Sequence, residues 1–295
     1  MTQIIQSLSD ISAPYDALFV DLWGCVHDGV RAIPSAVAAL QAYRKSGGTV
    51  VLVTNSPKPR KGVAVQLGKF GVAEDAWDVI ATSGDSARAA MFRGAVGSKV
   101  HFMGEWARDA EFFEPMSVIK DPVEIKIVPL DEAEGIVCCG PDDPMADPDV
   151  NRAAFLYAKQ KGLKLLCANP DIVVDRGDTR EWCAGALARL YTEMGGESLY
   201  FGKPHPPIYD LARRRLASLG RDVPADRILA IGDGAQTDIA GAMGEDIDSL
   251  FISGGLAASD THTGNTAASQ PDETALTAYL DKEKASPTFA MGQLR

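Results

Sequence analysis

Short apolar, β-branched runs alternate with amphipathic stretches along most of this chain. ALFV (Ala17–Val20) ends at Asp21, and TVVLV (Thr49–Val53) ends at Thr54-Asn55-Ser56. SLYF (Ser198–Phe201) ends at Gly202-Lys203-Pro204, RILAI (Arg227–Ile231) at Gly232-Asp233-Gly234, and SLFI (Ser249–Ile252) at Ser253-Gly254-Gly255. Runs that are apolar without alternation suit strands covered on both faces. Between several of them lie helical patterns, Ser35–Gly47 with a glycine stop and Pro206–Gly220 opened by prolines. Strand–helix alternation of this kind predicts an α/β fold, a Rossmann-like doubly wound parallel sheet.

The interval between the second and third runs has its own strand patterns, Lys99–Gly104, Gly135–Gly140 and Leu163–Pro170. Asn151–Gly162 reads as a helix and Pro141–Asp149 as a loop. An interval this long and this patterned is a domain, not a connection. It predicts an inserted α/β domain over 83–197, with 1–82 and 198–295 building the core. Ala257–Pro271 is small and polar and reads as a loop, whereas the closing SPTFAMGQLR has enough apolar residues to dock.

Composition narrows the function. The 295 residues carry a net charge of −11, which disfavours a nucleic-acid partner because phosphate backbones are repelled. A locally positive pocket for a small anionic substrate stays compatible with that total. The five cysteines, Cys25, Cys138, Cys139, Cys167 and Cys183, show no metal-ligand spacing and read as reduced thiols of a cytoplasmic protein. No apolar run approaches the length of a bilayer span, so no membrane partner is expected.

Open parallel sheets bind ligands beyond the carboxyl ends of their strands. Four predicted ends carry Asp21, Thr54-Asn55, Lys203 and Asp233. Two carboxylates side by side need a cation, and with oxygen donors the natural ion is Mg²⁺. Lys203 with the Thr54 hydroxyl suits a tetrahedral dianion. Asp21 could then attack phosphorus and form an aspartyl-phosphate that water cleaves.

The ordered segments D-L-W-G (Asp21–Gly24), V-T-N-S (Val53–Ser56), G-K-P-H-P (Gly202–Pro206) and G-D-G-A-Q-T-D (Gly232–Asp238) resemble the haloacid dehalogenase (HAD) superfamily. The large insert between the second and third segments resembles that of its class IIA, the NagD-like branch with a type-2 cap, and the likeness covers nearly the whole chain. It implies that Asp21 is nucleophile and metal ligand and that the backbone carbonyl of Trp23 is another ligand. Thr54, Asn55 and Lys203 would hold the phosphoryl group. Asp233 would bind Mg²⁺, with Asp238 supporting it. Asn169 and Asp171, in N-P-D, would lie on the cap side.

Trp23 departs from the pattern. Most phosphatases of this family have a second Asp there, acting as acid and base. An indole N–H does not titrate usefully. His27 and Asp28, in the turn after Asp21, are the candidate substitutes as acid. The expected activity is that of a hydrolase of a small phosphorylated metabolite, with a sugar phosphate among the candidates and assembly into a homo-oligomer left open. Two alternatives stand beside it. One is an aspartyl ester formed at carbon, as in dehalogenases; the other is a non-catalytic phosphometabolite-binding protein that lost its acid to Trp23.

Overall fold

The computed structural model describes residues 2–176 and 179–295. Its strands in chain order are β1 (Gln3–Ile4), β2 (Ala17–Val20), β3 (Thr49–Thr54), β4 (Val79–Thr82), β5 (Lys99–Met103), β6 (Lys126–Ile127) and β7 (Gly135–Cys138). There follow β8 (Lys164–Cys167), β9 (Val173–Arg176), β10 (Thr179–Trp182), β11 (Glu197–Tyr200), β12 (Ile228–Gly232), β13 (Asp248–Ile252) and β14 (Phe289–Met291). The chain divides into two compact units. One comprises Met1–Thr54, Ala64–Ala81 and Tyr209–Arg295; the other comprises Asn55–Val63 and Thr82–Ile208.

The first unit is built on a seven-stranded sheet in the order β1-β14-β13-β12-β2-β3-β4. The pairs from β1 across to β3 run parallel. β2 is an interior strand and all four of its residues are buried, as an unalternating apolar run requires when both faces are covered. The helix Pro34–Lys45 starts on proline, whose fixed φ and missing N–H suit a first turn. The C-terminal segment docks as β14, pairing with both β13 and β1. Residues 257–271 contain no helix or strand.

The second unit has a five-stranded sheet, β11-β8-β7-β5-β6, with every adjacent pair parallel, and a separate hairpin of β9 and β10. Its core forms on both faces of β7 and β8. Ile136 and Leu165 pack on one face with Leu187 and Tyr191, and Val137 and Leu166 pack on the other with Met91 and Phe112. Residues 55–63 group with this unit because the helix Ser83–Phe92 accepts them at close range. The Gly84 N–H donates to the Ser56 carbonyl at 3.0 Å, and a Cβ at Gly84 would collide with the Pro57 carbonyl.

One strand assignment from the sequence needs correction. The run at Ser198–Phe201 forms β11 not in the first sheet but in the second, where it pairs in parallel with β8 from Glu197–Lys164 to Tyr200–Cys167. Leu199 and Phe201 then pack against the Val137–Leu166 cluster and Tyr200 against the Leu165 cluster. A short, largely apolar run specifies a strand but not which sheet it joins. The units therefore part after Ile208, not at 197, and Lys203 follows a strand of the second unit. Among the described residues no helix is long and apolar enough to cross a membrane.

Candidate active site

In the first unit, β2 and β12 are neighbours in parallel register, so their carboxyl ends bring Asp21 and Asp233 to the same edge. The Asp21 amide continues the ladder, donating to the Ile231 carbonyl at 2.8 Å. Carboxylate oxygens of Asp21 and Asp233 and the Cys25 sulfur all lie within 4.8 Å of one another, and all three residues are buried.

Glycine makes this convergence possible. A Cβ at Gly24, whose φ is +73°, would collide with Asp233 Oδ2, and so would one at Gly255. The same oxygen accepts the Leu256 N–H at 3.0 Å. Asp238 lies behind this loop. Its Oδ2 accepts the Gly234 N–H at 3.1 Å and the Thr237 hydroxyl at 3.2 Å, and Gly232 has no room for a Cβ beside it. Asp238 thus braces the turn that carries Asp233. Paired buried carboxylate oxygens with a cradle only glycine leaves open fit a hard divalent cation.

The turn after Asp21 is a packed flap. The Gly24 N–H donates to the His27 carbonyl at 2.9 Å, and the amides of Val26 and His27 donate to the Leu22 carbonyl. Trp23 meets the His27 ring edge-on with centroids 5.3 Å apart, and His27 meets Phe70 at 4.9 Å. Gly29 has φ +85°, and a Cβ there would overlap the Trp23 indole. Such edge-to-face contacts fix the flap's aromatic rings relative to one another.

His27 and Asp28 have structural work in this flap. His27 Nδ1 accepts the Gly29 N–H at 3.1 Å, which places the ring's proton on Nε2 in the neutral form. Burial of the ring lowers its pKa to about 4. Asp28 Oδ1 accepts the amides of Val30 and Arg31 at 2.9 and 2.8 Å, and its Oδ2 meets Arg31 Nε at 3.3 Å. Partial desolvation pushes its pKa up, but the Arg31 and Val30 amides and the Arg31 guanidinium together outweigh it and hold the carboxyl below its usual value. Near neutral pH the first is an unprotonated ring and the second an ionised carboxylate, so neither is poised as the acid expected from its position.

The neutral His27 carries a stability prediction. In the unfolded chain its pKa is near 6.5 and in the fold about 4, so between these values the unfolded state binds more protons. The contribution is present in full above about pH 6.5 and is lost as pH falls through about 4, by roughly 3 kcal/mol. Urea midpoints of the unmodified protein should drop more steeply than those of His27→Gln between these pH values; parallel curves would contradict the assignment.

Thr54 ends β3, buried, in the first unit. Asn55 opens the second, where its amide clamps the backbone of Lys203. Asn55 Oδ1 accepts the Lys203 N–H at 2.7 Å, and Asn55 Nδ2 donates to the Lys203 carbonyl at 3.1 Å and to Asp171 Oδ1 at 2.8 Å. Asn169 Oδ1 in turn accepts the Asp171 N–H at 3.0 Å. Gly202 is required beside this clamp, because a Cβ would collide with Asn55 Oδ1. Lys203 is 3% exposed and is joined to Pro204 by a cis peptide. Asn55, Asn169, Asp171 and Lys203 therefore form one connected cluster in the second unit. Asn55 and Asp171 act through the placement of Lys203, which the sequence did not indicate.

Two contributors escaped the sequence reading. Cys25 read as an ordinary reduced thiol, although its place four residues after Asp21 was a signal. The Leu256 amide lies after a strand end, Gly254-Gly255, that carries no chemical side chain.

Relatives of this chain agree with its fold. A haloacid dehalogenase-like hydrolase model matches residues 18–115, and a HAD-hydrolase-like model matches residues 200–278. A hydrolase of the haloacid dehalogenase-like family from Brucella suis 1330 is 38% identical, with 99% of this chain and 100% of that one covered, at a TM-score of 0.84. The chain belongs to the haloacid dehalogenase-like hydrolases. An acid sugar phosphatase of Staphylococcus saprophyticus is 23% identical over 244 residues, 82% of this chain and 88% of that protein. The glycerol phosphate phosphatase Rv1692 of Mycobacterium tuberculosis, solved in complex with magnesium, shares the fold at a TM-score of 0.66. It is 24% identical, with 97% of this chain and 77% of that one covered.

Proposed function

We propose that this protein is a Mg²⁺-dependent phosphatase of small phosphorylated metabolites, acting through an aspartyl-phosphate at Asp21. The observation that carries the reading is the convergence of two buried carboxylates, Asp21 and Asp233, in a glycine-lined cradle. Buried like charges at this range are costly unless a cation joins them. Asp21, the Trp23 backbone carbonyl and Asp233 hold the metal, and Asp238 supports the loop. Thr54 and Lys203 take the phosphoryl oxygens, with Asn55 fixing the Lys203 backbone. The second unit is the cap of this reading, with 83–197 its inserted body, and Asn169 and Asp171 belong to its substrate side. The relative named an acid sugar phosphatase and the magnesium complex of Rv1692 support the same activity and metal.

In the first half-reaction an Asp21 oxygen attacks phosphorus and the bond to the leaving oxygen breaks, its electron pair departing with that oxygen. Lys203 offsets charge on the transferring group. Bound Mg²⁺ supplies further positive charge to the phosphoryl oxygens. In the second half-reaction water attacks phosphorus and the bond to Asp21 breaks, returning the carboxylate and releasing phosphate. Neither Trp23, neutral His27 nor ionised Asp28 gives the leaving oxygen a ready proton, so the reading favours leaving groups that depart as anions. The buried cysteines, in no disulfide among the described residues, suit a reducing, cytoplasmic setting.

The test is phosphate release from acetyl, p-nitrophenyl and sugar phosphates, with Mg²⁺ and with a chelator. Metal-dependent release from at least one class is expected. Release that ignores the chelator would remove the metal from the reading, and halide release from haloacids would favour chemistry at carbon.

A further inference from the structure

Tyr200 and His205 stand at the two ends of the loop that carries Lys203. Tyr200 is the last residue of β11, in register with Cys167 of β8, and packs against the Leu165 cluster. His205 immediately precedes the helix Pro206–Ala217. Their rings stack face to face, with centroids 4.7 Å apart and planes 13° from parallel. Both rings are half-buried, and both residues belong to the second unit, as do Asn55 and Lys203. Aromatic pairs so arranged contribute beyond the area they bury.

We propose that His205 is a positioning residue whose stack on Tyr200 holds Lys203 in the orientation that binds a phosphoryl group. The proposal rests on the phosphatase reading and adds a residue to its phosphate site. The backbone of Lys203 is the first argument. Asn55 takes its N–H at 2.7 Å and its carbonyl at 3.1 Å. Two contacts fix an axis and leave rotation about it, which would swing the lysine side chain. A third anchor off that axis removes the rotation. The His205 N–H donates to the Gly202 carbonyl at 2.9 Å, and the stacked ring ties this end of the loop to β11.

The helix that follows is the second argument. A helix N-terminus ordinarily offers an anion its first backbone N–H groups. Here the first two helical residues are Pro206 and Pro207, which have none. Charge on a phosphoryl group must then be met by the Lys203 ammonium, which sits on a flexible four-carbon stem whose direction the loop has to set. The ring itself is the third. Burial lowers the pKa of His205, which keeps it a neutral stacking partner near neutral pH rather than a second cation for the anion.

The test is the affinity for inorganic phosphate, read by calorimetry at fixed Mg²⁺. His205→Ala should weaken it by about three- to tenfold, the cost of ordering a long side chain that the loop no longer holds. His205→Phe keeps a planar ring and should stay within about twofold of the unmodified protein. Lys203→Ala should weaken binding by about tenfold or more, and adding His205→Ala to it should cost nothing further, because the histidine acts through the lysine. A merely structural histidine would give the same loss in both backgrounds, and that additivity would overturn the proposal. So would full affinity in His205→Ala, equal losses in His205→Ala and His205→Phe, or phosphate binding indifferent to Lys203→Ala. If His205→Ala does not fold, Tyr200→Leu removes the stack from the other side and should show the same loss, again absent beside Lys203→Ala. If no substrate releases phosphate in the presence of Mg²⁺, the phosphatase reading fails, and phosphate affinity still decides the role of His205.

Discussion

Asp21→Asn should abolish phosphate release from every substrate, by about 10⁴-fold or more, because it removes the attacking oxygen and not merely a binding contact. The amide is nearly isosteric with the carboxylate, so the fold should survive. The Asp21 amide bond to the Ile231 carbonyl is a backbone contact and is kept. Rapid quenching of the unmodified protein with ³²P-labelled acetyl phosphate should trap an acid-stable, hydroxylamine-labile phosphoryl-enzyme, and Asp21→Asn should trap none. A variant that retained measurable turnover at the same metal concentration would move the nucleophile elsewhere. Loss of turnover together with loss of folding, read by circular dichroism, would call for Asp21→Glu, which keeps the charge but displaces the attacking atom and should also be inactive.

The second large effect concerns the leaving group. Without a proton donor the departing oxygen carries its full negative charge, and general-acid help is typically worth ~10²–10⁴-fold. Rates should therefore fall steeply with rising pKa of the leaving alcohol, from acetyl and p-nitrophenyl phosphate to glycerol phosphate. Trp23→Asp should flatten that slope, raising glycerol phosphate turnover relative to acetyl phosphate. The substitution removes the indole that His27 and Gly29 pack against, so a loss common to all substrates is expected. The ratio between substrates is the quantity that decides. A shallow slope in the unmodified protein would show that another group protonates the leaving oxygen.

The flap explains why position in the sequence misled about His27 and Asp28. Both follow Asp21 closely, and a turn beside a nucleophile is a sensible place to look for an acid. Only the packing shows His27 wedged between Trp23 and Phe70, with its ring nitrogen accepting the Gly29 amide. Phe70 lies more than forty residues further along the chain, so no local pattern could signal the desolvation that keeps the ring neutral. Asp28 is different: its contacts are to Val30 and Arg31, a local Asx-type turn that D-G-V-R could have suggested.

The sequence by itself determined the elements and the chemistry at their ends. Unalternating apolar runs specify buried parallel strands, because the period of side-chain burial is a local property of the chain. Asp21, Thr54 and Asp233 follow such runs, and the structure places each at the carboxyl end of a strand of the first sheet. Tertiary structure alone decided which sheet each strand joins. β11 has the same length as β2, yet it pairs with β8, and Lys203 goes with it. It also decided that Asn55 holds the Lys203 backbone, that Cys25 faces the two carboxylates, and that Gly24 and Gly255 keep Asp233 unobstructed. These are contacts between residues far apart in sequence. They are set by packing, which binary pattern and propensity do not encode, whereas the strand ends that carry the site are set by runs of only four or five residues.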